Sequence, residues 1–335
     1  MTFEHLRRSL MLASLVTVAA TAAMTALTGL PAMAQTPAWP TKPVRIIVPL
    51  AAGSAPDVVA RLLADRLGSL WGQSVYVENK PGAGGIPGMS ALARLSGDGY
   101  TLGFVPAAMA TITPVVFKNP QFNIDTELQP IATVGTSPMM LVAPANAPFA
   151  NVAELERYAK ANPGKVNFAA AQLNSLPHLA GEMLSKTGGM GLFTVPYAGP
   201  PAAITAVISG DAMLTADGLP GVLQHVKGGR LKAVAVTSDR RLPGFDNVAT
   251  VAETYPGYLA MGWFQIFVPT GFPATQTERV SHDLNQVLRM PEVVAQLNDL
   301  GIYPQQSTPA SAREFFASQR LLMRKIVADL GITPQ

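Results

Sequence analysis

Short β-branched runs alternate along the chain with longer segments in which apolar residues recur every three or four positions. The runs at 44–49, 75–79 and 101–105 predict strands. The helical spacing of apolar residues over 58–70 predicts an amphipathic helix, and 88–95 predicts a shorter one. This alternation of strand and helix favours an α/β fold with a parallel sheet.

The same alternation continues as far as a strand at 263–268, after which only helices are predicted, and there is no internal sequence repeat. Further strands are predicted at 131–134, 139–142, 166–170, 193–196, 212–215, 231–236 and 263–268, with a break at Ser137-Pro138. Further helices are predicted at 152–161, 177–187, 202–209, 277–289, 291–300 and 309–328. Several strands end in small, polar loops that open into helices. Ligands bind at such strand ends in open α/β sheets, where helix N-termini offer free N–H groups to an anion.

The first 34 residues have the pattern of an export signal. Arg7 and Arg8 precede an uncharged, Ala-rich stretch at 11–27, and Ala32-Met33-Ala34 places small residues where a signal peptidase reads. The stretch of about 17 residues is at the lower edge for a membrane span, which disfavours the alternative of an anchor. The sequence therefore predicts a signal peptide at 1–34 and a periplasmic or exterior location.

Composition and net charge exclude several classes of function. The 335 residues include no cysteine, which excludes disulfides, thiolate metal sites and a cysteine nucleophile. The 24 basic residues are scattered and the net charge is only +3, so we expect no nucleic-acid partner. The four histidines include no pair at helical spacing. We therefore expect neither a metal nor another cofactor.

Two motifs invite a catalytic or nucleotide interpretation, and neither satisfies its pattern. The segment 82–88 follows a strand, but Pro87 stands where the dinucleotide fingerprint needs glycine, so a structural turn is favoured. No G-x-S-x-G elbow is present. His178 follows Ser175 by three residues, which indicates a helix cap and a packed imidazole. Asp57 and Asp217 are interpreted either as ligand contacts or as capping and turn residues.

An ordered set of segments resembles the Bug family of exported receptors, the solute-binding components of tripartite tricarboxylate transporters. The segments are 39–49, 53–57, 78–85, 98–102, 178–182, 195–199 and 235–238, and the similarity spans 38–333. The resemblance implies a two-domain, periplasmic-binding-protein-like α/β fold, with a ligand cleft between the domains and two interdomain crossover segments. One domain would comprise 38–136 plus 264–335, and the other 137–263.

The resemblance also implies a monomer that binds a small carboxylate through backbone amides, hydroxyls and water, and that works with a membrane permease. Carried over by position, the ligand contacts are Ala52, Gly53, Ser54, Ala55, Asp57, Ala107, Ala108, Asn174, Ser175, Tyr197, Ala198, Gly199 and Asp217. Three departures bear on the ligand. Gly53-Ser54 replaces the common Gly-Gly, a bulkier segment at 170–177 replaces a loop of small residues, and the third-strand loop at 105–109 is more apolar than is usual in the family. These departures favour an acid with a partly apolar body, either aromatic or branched.

Three functions stay open at this point. The first is a receptor without catalytic activity that delivers its ligand to a permease. The second is a periplasmic hydrolase or isomerase on the same scaffold, which the missing nucleophile motif disfavours. The third is a subunit that binds the same ligand and signals to a membrane kinase. The sequence does not separate transport from sensing.

Overall fold

Three parallel strands, each leading into a helix, form one side of the first sheet. The computed structural model describes residues 39–334, so the predicted signal peptide at 1–34 lies outside the described residues. Strand β1 (Val44–Val48) lies between β2 (Val75–Asn79) and β3 (Thr101–Pro106). The helices that follow are α1 (Ala55–Trp71), α2 (Ile86–Ala93), α3 (Ala107–Thr111), α4 (Thr113–Val116) and α5 (Ile124–Glu127).

One long strand is shared by two sheets. Strand β4 (Leu128–Pro144) pairs over its first part with the antiparallel strand β9 (Met261–Pro269). Its last part pairs with β7 (Thr215–Gly218) and β8 (Leu231–Val236). The predicted break at Ser137-Pro138 is therefore wrong. These residues mark the place where β4 changes partners, and proline, which lacks a ladder donor, is tolerated at such an irregular position.

Apart from one additional short strand in the first sheet, the two sheets repeat the same strand order, although the sequence shows no repeat. The first sheet has the order β10-β4-β9-β3-β1-β2, where β10 is Tyr303–Pro304. In the second, β5 (Asn167–Ala170) pairs with β6 (Phe193–Pro196), and Phe168 bridges to Leu214 next to β7. This arrangement gives the order β6-β5-β7-β4-β8, which corresponds strand by strand to β2-β1-β3-β9-β4 of the first sheet. We call each sheet with its helices a lobe; from Lys42 onward the chain is one compact unit.

The second lobe differs from prediction around β7. A strand was expected at 212–215, followed by an exit loop, but the paired strand is Thr215–Gly218 and a helix begins directly at Leu219. The run 212–214, with Ala212 and Leu214 buried and Met213 partly buried, has the composition of a strand, yet within it only Leu214 makes a bridge. The remaining helices are α6 (Val152–Ala161), α7 (Leu176–Gly188), α8 (Pro200–Ser209), α9 (Leu219–Lys227), α10 (Ala274–Val287), α11 (Pro291–Asp299) and α12 (Pro309–Asp329).

Both faces of the second sheet are buried, as the alternation along β4 shows. Met139 and Leu141 join one apolar cluster, whereas Met140 and Val142 join another on the opposite face. A separate cluster connects the lobes, because it contains Leu179 of α7 together with residues of α4 and α12. Across residues 39–334 no helix combines the length and apolarity needed to cross a membrane.

Candidate functional site

The carboxyl ends of the parallel strands in both lobes lie near the point where β4 passes between sheets. Pro106, at the end of β3, is paired with Phe264, which also faces Gly135 of β4. Gly218, at the end of β7, is paired with Met139 of the same strand. The two β4 positions are four residues, or about 13 Å, apart. The loops after the parallel strands of the two lobes therefore lie near one another.

The loop between β1 and α1 is a tight turn with an exposed tip. Ala52 and Gly53 are exposed, and Gly53 has a φ of 80°, which glycine adopts without strain. The Ser54 hydroxyl donates to the Ala51 carbonyl at 2.7 Å and does not cap α1. Among residues 39–334, the Ala55 N–H of the first helical turn has no acceptor, so it is available to a ligand.

The buried side chain of Asp57 fixes the conformation of this loop through hydrogen bonds. It is only 2% exposed, and its Oδ2 accepts the Gly53 N–H at 2.8 Å and Arg61 Nε at 3.0 Å. Its Oδ1 accepts Asn79 Nδ2 at 2.9 Å, and the same Nδ2 donates to the Leu50 carbonyl at 3.0 Å. Both carboxylate oxygens of Asp57 thus accept hydrogen bonds from within the protein. Gly53 N–H and the Ser54 hydroxyl, two of the expected ligand donors, also donate within the protein.

The charge state of Asp57 follows from these contacts. Burial alone would raise the pKa of Asp57, but hydrogen bonds from Arg61, Gly53 and Asn79 and the positive charge of Arg61 outweigh it and lower the pKa. Asp57 is therefore ionised at neutral pH, and Arg61 compensates its charge. The other loop residues in the predicted site include neither lysine nor arginine.

The corresponding loop of the second lobe, between β5 and α7, is held by a histidine. Ser175 caps α7 by accepting the His178 N–H at 3.3 Å, as the sequence predicts. The buried His178 ring accepts the Asn174 N–H at Nδ1, 3.1 Å away, and its Nε2 lies 3.7 Å from Glu182 Oε1. Burial lowers the pKa of His178, and the charge of Glu182 opposes that effect.

This geometry opposes a serine–histidine nucleophile. The Ser175 hydroxyl donates to the Gln172 carbonyl at 2.6 Å, and the acceptor nitrogen of His178 is already used by Asn174. A general base needs a free nitrogen directed at the nucleophile's proton. Within residues 39–334, no group of three or more His, Asp or Glu side chains could hold a metal ion.

The two remaining elements of the second lobe place one aromatic residue and one carboxyl group at the same sheet edge. Tyr197 follows β6, and its N–H donates to the Ala170 carbonyl at 2.8 Å. Asp217 lies within β7 and not in an exit loop, which corrects the expectation. Burial raises the pKa of Asp217, and the Gly218 N–H opposes that effect only in part. The carboxyl of Asp217 has no cation partner within the described chain.

The predicted contact segment after β3 is the first turn of α3 and not a loop. Ala107 is buried, and Ala108 packs against the cluster that joins α4, α7 and α12. The glycine-rich segment before α2 supports this turn. A Cβ on Gly85 would lie 2.5 Å from Met109 Cγ and 3.2 Å from Pro49 Cβ. The role of this segment in packing favours the structural turn over the nucleotide loop.

Sequence reasoning missed the residues that hold the loops. Arg61 and Asn79 complete the contacts of Asp57, and His178 was interpreted only as a packed ring. The i, i+4 spacing of Asp57 and Arg61 was a usable signal for the first contact. Leu173, at the tip of the second-lobe loop, was not assigned to the site either, yet it is 55% exposed.

Two lobes that share a long crossing strand, with loop clusters at their adjacent strand ends, define the class of two-domain solute-binding proteins. A family model described as "Tripartite tricarboxylate transporter family receptor" matches residues 59–332. The chain belongs to that family. The resemblance drawn from the sequence and the predicted fold class are confirmed.

Individual relatives agree with this assignment. Protein BugT of Bordetella pertussis is 31% identical over 296 residues, which cover 88% of this chain and 90% of BugT. A structure of R. palustris Rpa4515 with adipate matches with a TM-score of 0.74 and 27% identity, covering 89% of this chain and 100% of that one. The periplasmic binding protein BugD matches with a TM-score of 0.70 and 31% identity, over 89% and 100% of the two chains.

Proposed function

We propose that this protein is an exported receptor that binds a small carboxylate between its lobes, leaves the ligand's bonds unchanged, and passes it to a tripartite tricarboxylate-type permease. The observation that carries the proposal is the arrangement of helix starts at the strand ends of both lobes, with no lysine or arginine in their loops. Backbone N–H groups and the positive ends of helix dipoles can hold an anion without a cationic side chain.

The proposed contacts are the thirteen residues expected from the resemblance, with distinct roles. The Ala55 N–H is one donor with no acceptor in the described chain, so it suits a ligand carboxylate. Asp57, whose oxygens are occupied, would act by holding its loop. Asp217 lacks a cation partner, so a hydroxyl or a second, protonated carboxyl group of the ligand suits it. The full set is Ala52, Gly53, Ser54, Ala55, Asp57, Ala107, Ala108, Asn174, Ser175, Tyr197, Ala198, Gly199 and Asp217.

The body of the ligand is proposed to be partly apolar, either aromatic or branched. Leu173 projects from the tip of the second-lobe loop with 55% of its surface exposed, although leucine is usually buried. The turn of α3 at Ala107 and Ala108 carries only methyl side chains. The adipate bound to Rpa4515 has four methylenes between its carboxylates, so it supports an apolar segment in the ligand.

Three further parts of the proposal concern how the receptor works. The hinges would lie near 136–137 and 263–264, which divides the chain into 38–136 plus 264–335 and 137–263. The receptor would be a monomer, which light scattering on the eluting protein tests. Export would remove 1–34, and mass spectrometry of periplasmic protein should then find Gln35 as the first residue.

A thermal-shift series tests the carboxylate requirement separately from the alkyl chain. The four probes are adipate, hexanoate, adipamide and 1,6-hexanediol, which share a six-carbon chain. A ligand that binds only the folded state at about 100 times its Kd adds about 2.7 kcal/mol of stability and raises Tm. We expect adipate or hexanoate to raise Tm, and the uncharged probes to have no effect.

Prolonged incubation of the purified protein with the bound acid, followed by mass spectrometry, tests for turnover. We expect the acid to be recovered unchanged. A converted product would contradict the receptor proposal in favour of an enzyme. Equal Tm shifts with adipate and 1,6-hexanediol would contradict carboxylate recognition.

A further inference from the structure

The loops that follow β1 and β5 contain the same backbone turn. In each, a serine N–H donates to the carbonyl three residues earlier at 3.3 Å, and the serine hydroxyl donates to that same carbonyl. The residue before each serine has a positive φ, 80° in one lobe and 60° in the other. Both serines precede a helix with proline in its first turn. The corresponding pairs are Gly53 with Asn174 and Ser54 with Ser175.

The side chain at the third helical position closes each turn in the same way. Asp57 accepts the N–H of the residue four positions earlier, Gly53, at 2.8 Å. His178 accepts the N–H of Asn174, also four positions earlier, at 3.1 Å. The two acceptors differ in chemistry, one a carboxylate oxygen and the other an imidazole nitrogen, yet they occupy equivalent places.

Each acceptor also has a partner one helical turn further along, and the charges of these partners are reversed. Arg61 Nε lies 3.0 Å from Asp57 Oδ2, and Glu182 Oε1 lies 3.7 Å from His178 Nε2. The carboxylate is thus matched by a cation and the imidazole by an anion. In both lobes the partner stands at i+4, where side chains on one helix face meet.

A residue of the neighbouring strand forms a hydrogen bond with each of these partners, Arg61 and Glu182. In the first lobe, Arg61 Nη2 donates to Asn79 Oδ1 at 3.0 Å, at the end of β2. In the second lobe, the Thr194 hydroxyl of β6 donates to Glu182 Oε1. Strands β2 and β6 have the same place in their sheets, beside β1 and β5. The correspondence therefore extends from the turn through the helix to the neighbouring strand.

We propose that the two ligand loops are two copies of one turn-and-helix unit, and that Asp57 and His178 are the equivalent residues that position them for ligand binding. This inference rests on the proposed function, because it assigns the loops to the ligand. Neither side chain needs to touch the ligand. Each side chain accepts a backbone N–H of its turn, from Gly53 or Asn174. This hydrogen bond fixes the orientation of the residue at the tip of the turn and of the first N–H groups of the helix.

Amide hydrogen exchange, measured by NMR on the ligand-free protein, tests the positioning without any ligand. The variants are His178→Ala and Asp57→Ala, with the exposed His282→Ala and Asp65→Ala as matched controls. Loss of one hydrogen bond should speed exchange of its amide roughly 3- to 10-fold. We expect His178→Ala to act on Asn174 and Asp57→Ala on Gly53, each without effect on the other lobe's loop.

A conservative variant separates positioning from a general loss of folding. In His178→Asn, the side-chain oxygen can take the place of Nδ1, so we expect protection of the Asn174 amide to return. Circular dichroism verifies folding of each variant. Unchanged Asn174 exchange in folded His178→Ala would overturn the proposal, as would faster exchange spread evenly over α7.

Adipate titration of the same variants tests the link to the ligand. We expect both alanine variants to bind adipate at least about 5-fold more weakly than the parent, and His178→Asn to recover most of the affinity. Local exchange changes with unchanged affinity would overturn the positioning role. A parent protein that binds no carboxylate would contradict the proposed function instead, while the exchange data would still decide whether the two units are equivalent.

Discussion

Asp57→Ala should destabilise the first lobe by more than the loss of a helix cap. Replacement of an ordinary N-cap costs about 0.5–2 kcal/mol. The Asp57 carboxylate instead accepts three hydrogen bonds, from Gly53, Arg61 and Asn79, while only 2% of the residue is exposed.

The expected magnitude follows from the exposure of each partner. The Arg61 side chain is 52% exposed, so its ion pair is screened and contributes about 0–1 kcal/mol. The other two hydrogen bonds to a charged acceptor contribute about 1.5–3 kcal/mol each, and relief of the buried charge offsets part of them. We therefore expect a loss of about 2–4 kcal/mol in the free energy of unfolding.

Urea unfolding monitored by circular dichroism measures this loss. Asp65→Ala is the matched control, because Asp65 lies on the same helix with a side chain 68% exposed, and it should change stability by less than about 0.5 kcal/mol. Arg61→Ala should cost no more than about 1 kcal/mol. A folded Asp57→Ala protein that loses less than about 1 kcal/mol would refute the reasoning, since it would mean that the buried contacts contribute nothing net.

Three further predictions concern the second lobe, the ligand and the glycine-rich segment. Because burial lowers the pKa of His178 against the opposing charge of Glu182, the unfolded chain binds more protons below about pH 6.5. Stability should therefore fall as the pH drops through that range. The free energy of unfolding of His178→Asn, measured in urea at several pH values, should depend less on pH than that of the parent. Ser54→Ala removes the hydroxyl that donates to the Ala51 carbonyl and so loosens the turn, which should weaken adipate binding by about 0.5–1.5 kcal/mol in calorimetry; an unchanged Kd would exclude a role for the hydroxyl. Gly85→Ala places a Cβ 2.5 Å from a methionine carbon at a φ of 75°, so Tm should fall by several degrees; an equal Tm would contradict the packing role.

Local sequence pattern determined much of this molecule. The apolar spacing that predicts α1 and the β-branched run that predicts β1 are both present in the fold. Their order along the chain was enough to indicate an α/β class, because an element's periodicity depends on which of its own faces is buried. The positions of the loops after β1 and β5 followed from the same pattern, and so did Ser175 as a helix cap.

Contacts between distant segments were decided only by the tertiary structure. Whether β4 continues through Ser137-Pro138 depends on the partners that accept its backbone groups, and these lie more than 70 residues away. Asp57 meets Asn79 because two parallel strands bring their ends together. The equivalence of Asp57 and His178 is likewise visible only in space, because a hydrogen-bonding role can be filled by a carboxylate or an imidazole, and the sequence records the residue type and not the role.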